Sequence, residues 1–148
     1  MTKYPKQEPE PLKKAHSAPG EEITLTIIGR PAGQGSKRHV GGGRMIEQSK
    51  YLPAWRRACI DQMRQQYDGE PLDGPLEVTA TFYLKRPKKP KFSAPAVPPD
   101  ADKLIRAIGD ALTQARVVVD DARITTWHAT KQYATGQTGA TITIKETQ

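Results

Sequence analysis

One cysteine, two tryptophans and two phenylalanines are all that 148 residues supply. The lone Cys59 excludes an intramolecular disulfide framework and any multi-cysteine zinc site. No apolar run approaches the roughly 20 residues that a membrane-crossing helix needs. The first 22 residues, MTKYPKQEPEPLKKAHSAPGEE, lack the apolar stretch of a secretory signal. These absences lead us to expect a protein of a reducing cytoplasm with no membrane partner. Hydrophobic residues make up only 36% of the chain, so some segments should lie outside the core.

Charge is present and unevenly placed. In residues 1–22, four lysines face four glutamates, so the whole net +7 belongs to residues 23–148. We therefore expect a disordered tail over 1–22, where almost nothing large and apolar can offset ordering entropy, and one folded domain over 23–148. A basic domain with pI near 9.6 points to a polyanionic partner, of which nucleic acid is the commonest.

Periodicity outlines the domain. ITLTII (23–28) and LEVTATFYLKR (76–86) alternate apolar and polar residues as half-buried strands do. Between them, GRPAGQGSKRHVGGGR is expected to be irregular, because its glycines and Pro31 break regular structure. It lacks the Walker spacing of a nucleotide loop. It holds Arg30, Lys37, Arg38, His39 and Arg44, which suit either a phosphate backbone or a merely solvated loop. Residues 49–69 predict a helix, with Trp55, Cys59, Met63 and Tyr67 at fours and Pro53 in its first turn. Cys59 on that stripe reads as a buried small hydrophobe. Lys85, Arg86, Lys88, Lys89 and Lys91 then follow on a proline-stiffened loop that suits a row of phosphates. A helix over 102–115 is followed by strands at 122–134 and 139–146, which the Gly-bearing link between them would join as a hairpin. The fold class is a mixed α/β sandwich: one sheet with two main helices against it.

The question is why so basic a chain gathers acids in this last region. Leu104, Ile105, Ile108, Ala111 and Leu112 make an apolar stripe, with Asp102, Arg106 and Asp110 in a row on the other side. Asp at a helix start is an ordinary cap, which accounts for either Asp100 or Asp102 but less well for both. Asp120 and Asp121 can equally make a turn. The other possibility is that three carboxylates converge on a cation. Held close they repel, unless an ion such as Mg²⁺ offsets their charge. Such an ion activates water and stabilises charge on a phosphodiester, and Arg106 or Lys103 would steady the phosphate.

PDADKLIRAIGDALTQARVVVDDARI (99–124) resembles the signature of the RusA-like Holliday junction resolvases. In that pattern a P-D-x-D-[NK]-L element precedes a basic residue, a D-A-L and a D-D pair. Asp100 and Asp102 match the first acidic pair, Arg106 the basic position and Asp121 the later metal-site acid. The resemblance implies a small α/β homodimer that binds four-way-junction DNA and makes paired symmetric nicks. It implies Mg²⁺ held by Asp100, Asp102 and Asp121 in each protomer. Arg106 stands where lysine is common; its guanidinium cannot transfer a proton at neutral pH, though an electrostatic role survives. Lys103 follows the second acid and either contacts a phosphate or weakens metal binding. With Lys37, Arg38 and the 85–91 run it completes the expected DNA contacts. Two other readings stay open: a branched-DNA-binding protein whose acids only cap and turn, and a nuclease for other branched DNA or RNA. A histidine-based nuclease fits poorly, since His16, His39 and His128 are scattered and His128 suits a structural or edge position.

Overall fold

Every second residue from Leu76 to Leu84 is apolar, and in the computed structural model all of those side chains are buried while those between them are not. The structure describes residues 22–35 and 50–148, with the backbone alone of 37–40 and 44–47. The expected tail, apart from Glu22, lies outside the described residues. Along the chain the elements are β1 (Glu22–Ile28), β2 (Lys37–Val40), β3 (Arg44–Glu47), α1 (Leu52–Gln66), β4 (Leu76–Leu84), α2 (Ala101–Gln114), β5 (Ile124–Tyr133) and β6 (Gly139–Glu146). A short 3₁₀ turn, Asp121–Arg123, leads into β5.

The main sheet runs in the order β1-β6-β4-β5. β4 pairs antiparallel with β6 and parallel with β5, and β1 pairs antiparallel with β6. A parallel pair needs a long crossover, and α2 supplies it. Both helices bury apolar stripes in one core with the sheet's inner face: Leu52, Trp55, Cys59 and Met63 from α1; Leu104, Ala107, Ile108, Ala111 and Leu112 from α2. The expected stripe of α2 differs at Ile105, which is only half-buried. Burial pushes the Cys59 thiol far above its ordinary range, as befits a small core hydrophobe.

Helix α1 does more than fill the core. β1 is an edge strand, and two glutamines of α1 pair with its free backbone. The Gln62 side chain accepts from Ile28 N at 2.8 Å and donates to Ile28 O at 2.8 Å. Gln66 does the same at Thr26, at 2.9 and 2.7 Å. The two amides stand in for a further strand and close that edge.

Two expectations are corrected. The stretch 29–44 is not wholly irregular: β2 and β3 pair antiparallel from Lys37↔Glu47 to Val40↔Arg44. The glycine triplet at 41–43 separates two short β-forming runs, a hairpin composition as much as a breaker. Nor do β5 and β6 form a hairpin, since β4 lies between them. β4 carries the most regular apolar alternation and takes the centre. The five-residue link 134–138 can extend about 17 Å, enough to cross two strand spacings of about 10 Å in all.

Helix α2 ends in a Schellman cap. Val117 N donates to Leu112 O at 3.0 Å and Arg116 N to Thr113 O at 3.1 Å. The residue that must adopt the left-handed conformation there is Arg116, with φ 64°. Glycine takes that conformation without Cβ strain, so Arg116→Gly should raise stability by about 0.5–1 kcal/mol. Urea unfolding checks this: the midpoint should rise at unchanged slope, and a lower midpoint would show that the arginine side chain outweighs the strain.

Candidate active site

The polar face of α2 is enclosed by two backbone segments. On one side the loop after β1 crosses it. Gln34 N donates to Lys103 O at 3.0 Å, and the Gln34 side-chain amide donates to the Asp110 carboxylate. The contact is so close that a Cβ on Gly33 would stand 2.7 Å from Lys103 Cβ. Gly35 packs beside the Arg106 guanidinium, where a Cβ would stand 3.0 Å from Nη1. On the other side, the segment after α2 is tied to Leu72. Leu72 N donates to Val117 O, and Val119 N to Leu72 O, each at 2.9 Å. Val117 and Val118 are buried by this, which explains the apolar run before the acidic pair. The chain then turns so that Asp121 lies against α2 at Gly109, where a Cβ would meet Asp121 Oδ2 at 3.1 Å.

The acids divide by what they bond. Asp120 is a cap: its side chain accepts from Ala122 N at 3.1 Å and starts the 3₁₀ turn. Asp100 holds the N-cap position of α2, yet its side chain makes no capping hydrogen bond. Only its carbonyl is used, accepting from Lys103 N and Leu104 N at 3.1 Å each. Asp102, in the first turn, is exposed and receives a hydrogen bond from Lys103 Nζ at 2.9 Å. That bond holds its carboxyl below the usual range, assisted by the lysine's charge. Asp110 is occupied by Gln34, and Asp121 is half-buried against Gly109.

All of these but Asp100 and Asp120 share one flank of α2. Asp102 and Gly109 are seven residues apart, about 10 Å along the axis, with exposed Arg106 between them. Among the described residues, no three His, Cys, Asp or Glu side chains gather as a ready ion site. The donor chemistry nonetheless suits a hard divalent cation: carboxylate oxygens, of which those of Asp100 are not spent on capping.

The expected DNA contacts fall in three places. Lys85, Arg86, Lys88, Lys89 and Lys91 are all exposed on an irregular segment that joins the end of β4 to the start of α2. Lys103 is partnered by Asp102. Lys37 and Arg38 lie on β2, with their side chains outside the described residues. His128 is on the edge strand β5, with Nε2 2.7 Å from Glu77 Oε2 on the outer face.

Two residues of this site belong to no motif. Gln34 is one; its glycine neighbours were the only sign of a close approach. Lys131 is the other. It comes from the inner side of β5, where a lysine among Trp127, Ala129 and Tyr133 breaks the apolar pattern. Its ammonium donates to Val97 O and Pro99 O, each at 2.8 Å, and so anchors the chain just before Asp100.

The family described as Endodeoxyribonuclease RusA matches residues 29–145. The chain is also 25% identical over 130 residues to the crossover junction endodeoxyribonuclease RusA of Aquifex aeolicus (strain VF5), covering 86% of this chain and 94% of that one. Fold and site together define a small α/β nuclease domain whose acids flank a crossover helix. The chain belongs to the RusA endodeoxyribonuclease family.

Because Lys131 acts on Asp100 only through the backbone, its loss should change rate more than binding. With Asp100 as the metal ligand that the sequence leads us to expect, Lys131→Met should lower single-turnover nicking about 10- to 100-fold, in the range for residues that orient metal ligands. DNA affinity should stay within about twofold, since the exposed cations of the 85–91 run, the expected phosphate contacts, are untouched. Partial recovery in Lys131→Arg would separate anchoring from mere filling of space.

Proposed function

We propose that this protein is a Mg²⁺-dependent, structure-specific endonuclease that resolves four-way DNA junctions by paired symmetric nicks. The observation that carries the proposal is Asp100: it occupies a helix N-cap without capping, in a chain whose family match covers residues 29–145. A cap that keeps its carboxylate free suits a ligand and contributes little as a cap. Recombination, repair and phage DNA processing are the processes such an activity serves, and a reducing cytoplasm suits the free, buried Cys59.

In this proposal Asp100, Asp102 and Asp121 hold the ion. When bound, Mg²⁺ lowers the pKa of a coordinated water and stabilises charge on the phosphodiester. Lys103 is bonded to Asp102, so the ion has to compete with its ammonium for that oxygen. Arg106, between the two acidic ends, faces the phosphate and offsets its developing charge; it holds its proton throughout. The 85–91 run grips the backbone leading to the site. Asp110 is kept by Gln34 and shapes the floor without joining the ligands. A junction has two strands of like polarity to cut, and a two-fold homodimer supplies one site for each.

The test is cleavage of a labelled synthetic four-way junction with Mg²⁺ or EDTA, beside linear duplex, flap and RNA controls. Paired symmetric nicks should appear only on the junction and only with the metal. Asp102→Asn should lower the rate at least about a thousandfold, as expected when several kcal/mol of metal assistance is lost. Junction binding should persist in that variant. Tight binding with no cuts under any divalent ion would make this a junction-binding protein instead.

A further inference from the structure

A second basic surface lies along α1 and reaches the end of α2. Arg56, Arg57 and Arg64 of α1 line an open groove of about 490 Å³ with Leu52, Pro53 and Ile60. Asp61 is the one acid of the lining, and Gln114, the last residue of α2, closes it. Arg64 Nη2 donates to Gln114 O at 3.2 Å, which fixes one guanidinium at the helix end. Among the described residues, Arg56 and Arg57 have neither an ion-pair nor a hydrogen-bond partner. Guanidinium groups unpaired beside an apolar floor suit phosphate, which they bind in a fork.

Its position gives the groove a meaning. The 85–91 cations precede α2 in the chain, and the groove reaches Gln114 at the other end of that helix, twelve residues from Asp102. That is about 18 Å along the axis, against about 3.4 Å between phosphates of one strand. The groove therefore reaches several phosphate spacings beyond Asp102, far enough to meet a different stretch of backbone. We propose that the Arg56–Arg57–Arg64 groove binds the phosphate backbone of a second arm of branched DNA, and so sets the preference for branched over linear substrate. This rests on the reading of the substrate as a four-way junction.

Equilibrium binding in EDTA, over a range of salt, tests it with Arg56→Glu/Arg57→Glu and the milder Arg56→Gln/Arg57→Gln. Thermal melts of both variants show that each is folded; where the glutamate pair fails to fold, the glutamine pair decides. Junction Kd should rise at least about tenfold, and the slope of log K against log salt should fall by about 2. Linear-duplex Kd should change less than about twofold, because a single duplex is held at the 85–91 side. Single-turnover nicking at saturating protein should match the unsubstituted chain. Wild-type junction Kd and slope in both variants would overturn the proposal, as would equal losses on junction and duplex. If the unsubstituted protein binds junction and duplex alike, the four-way-junction reading fails. An unchanged duplex slope in the variants would then also overturn the groove.

Discussion

Parallel pairing of β4 with β5 is the constraint from which the site follows. Two parallel strands cannot be joined by a tight turn, so the chain must leave one end of the sheet and return at the other. α2 makes that passage with its apolar stripe on the sheet, which forces Asp102, Arg106 and Asp110 to the opposite flank. The acids outside the helix come from its two approaches: Asp100 from the loop after β4, Asp121 from the turn before β5. Bringing them to one helix then depends on how closely neighbouring backbone can approach it. Glycine supplies that closeness at Gly33 and Gly109, where an added Cβ would collide with Lys103 or crowd Asp121. Lys131 supplies it at the start of the helix by holding two carbonyls.

What could be read from the sequence was whatever is local. β1, β4 and both helices announce themselves through spacing within one element, and their buried faces match that spacing except at Ile23, Tyr67 and Ile105, which are half-buried. What could not be read was pairing between distant segments. Nothing in residues 122–146 shows that β4 lies between β5 and β6, because the short link fits a hairpin as well as a crossing. Gln34 reaches Asp110 over 76 positions and Lys131 reaches Pro99 over 32, so neither leaves a local pattern. The acidic signature was legible because its spacings are fixed within one helix and the turn after it. Its division of labour was not, since a capping Asp120 and an uncapping Asp100 look alike as letters.

That division also resolves the charge puzzle of a basic chain with clustered acids. A carboxylate bonded to a backbone N–H or a side-chain amide already has its charge stabilised, as at Asp120 and Asp110. Asp102 has a lysine, in a pair that is exposed and screened by water. Surrounding such a flank with arginine and lysine lowers the repulsion that a phosphate backbone would otherwise meet there.

The outer face of the sheet completes the electrostatic division. Rows of threonine cross it in register, Thr26–Thr141–Thr81–Thr130 and Thr24–Thr143–Thr79, the latter ending at His128. Its acids have partners: Lys145 stands level with Glu22 and Glu77 on either side, and Glu77 hydrogen-bonds the His128 ring. The Debye length is about 8–10 Å near physiological salt, so surface charges farther away count for little. The arginine groove lies along α1 and reaches the end of α2, the helices packed on the other face. A polyanion approaching the domain therefore meets less attraction from the threonine side than from the unpaired arginines of the helix side.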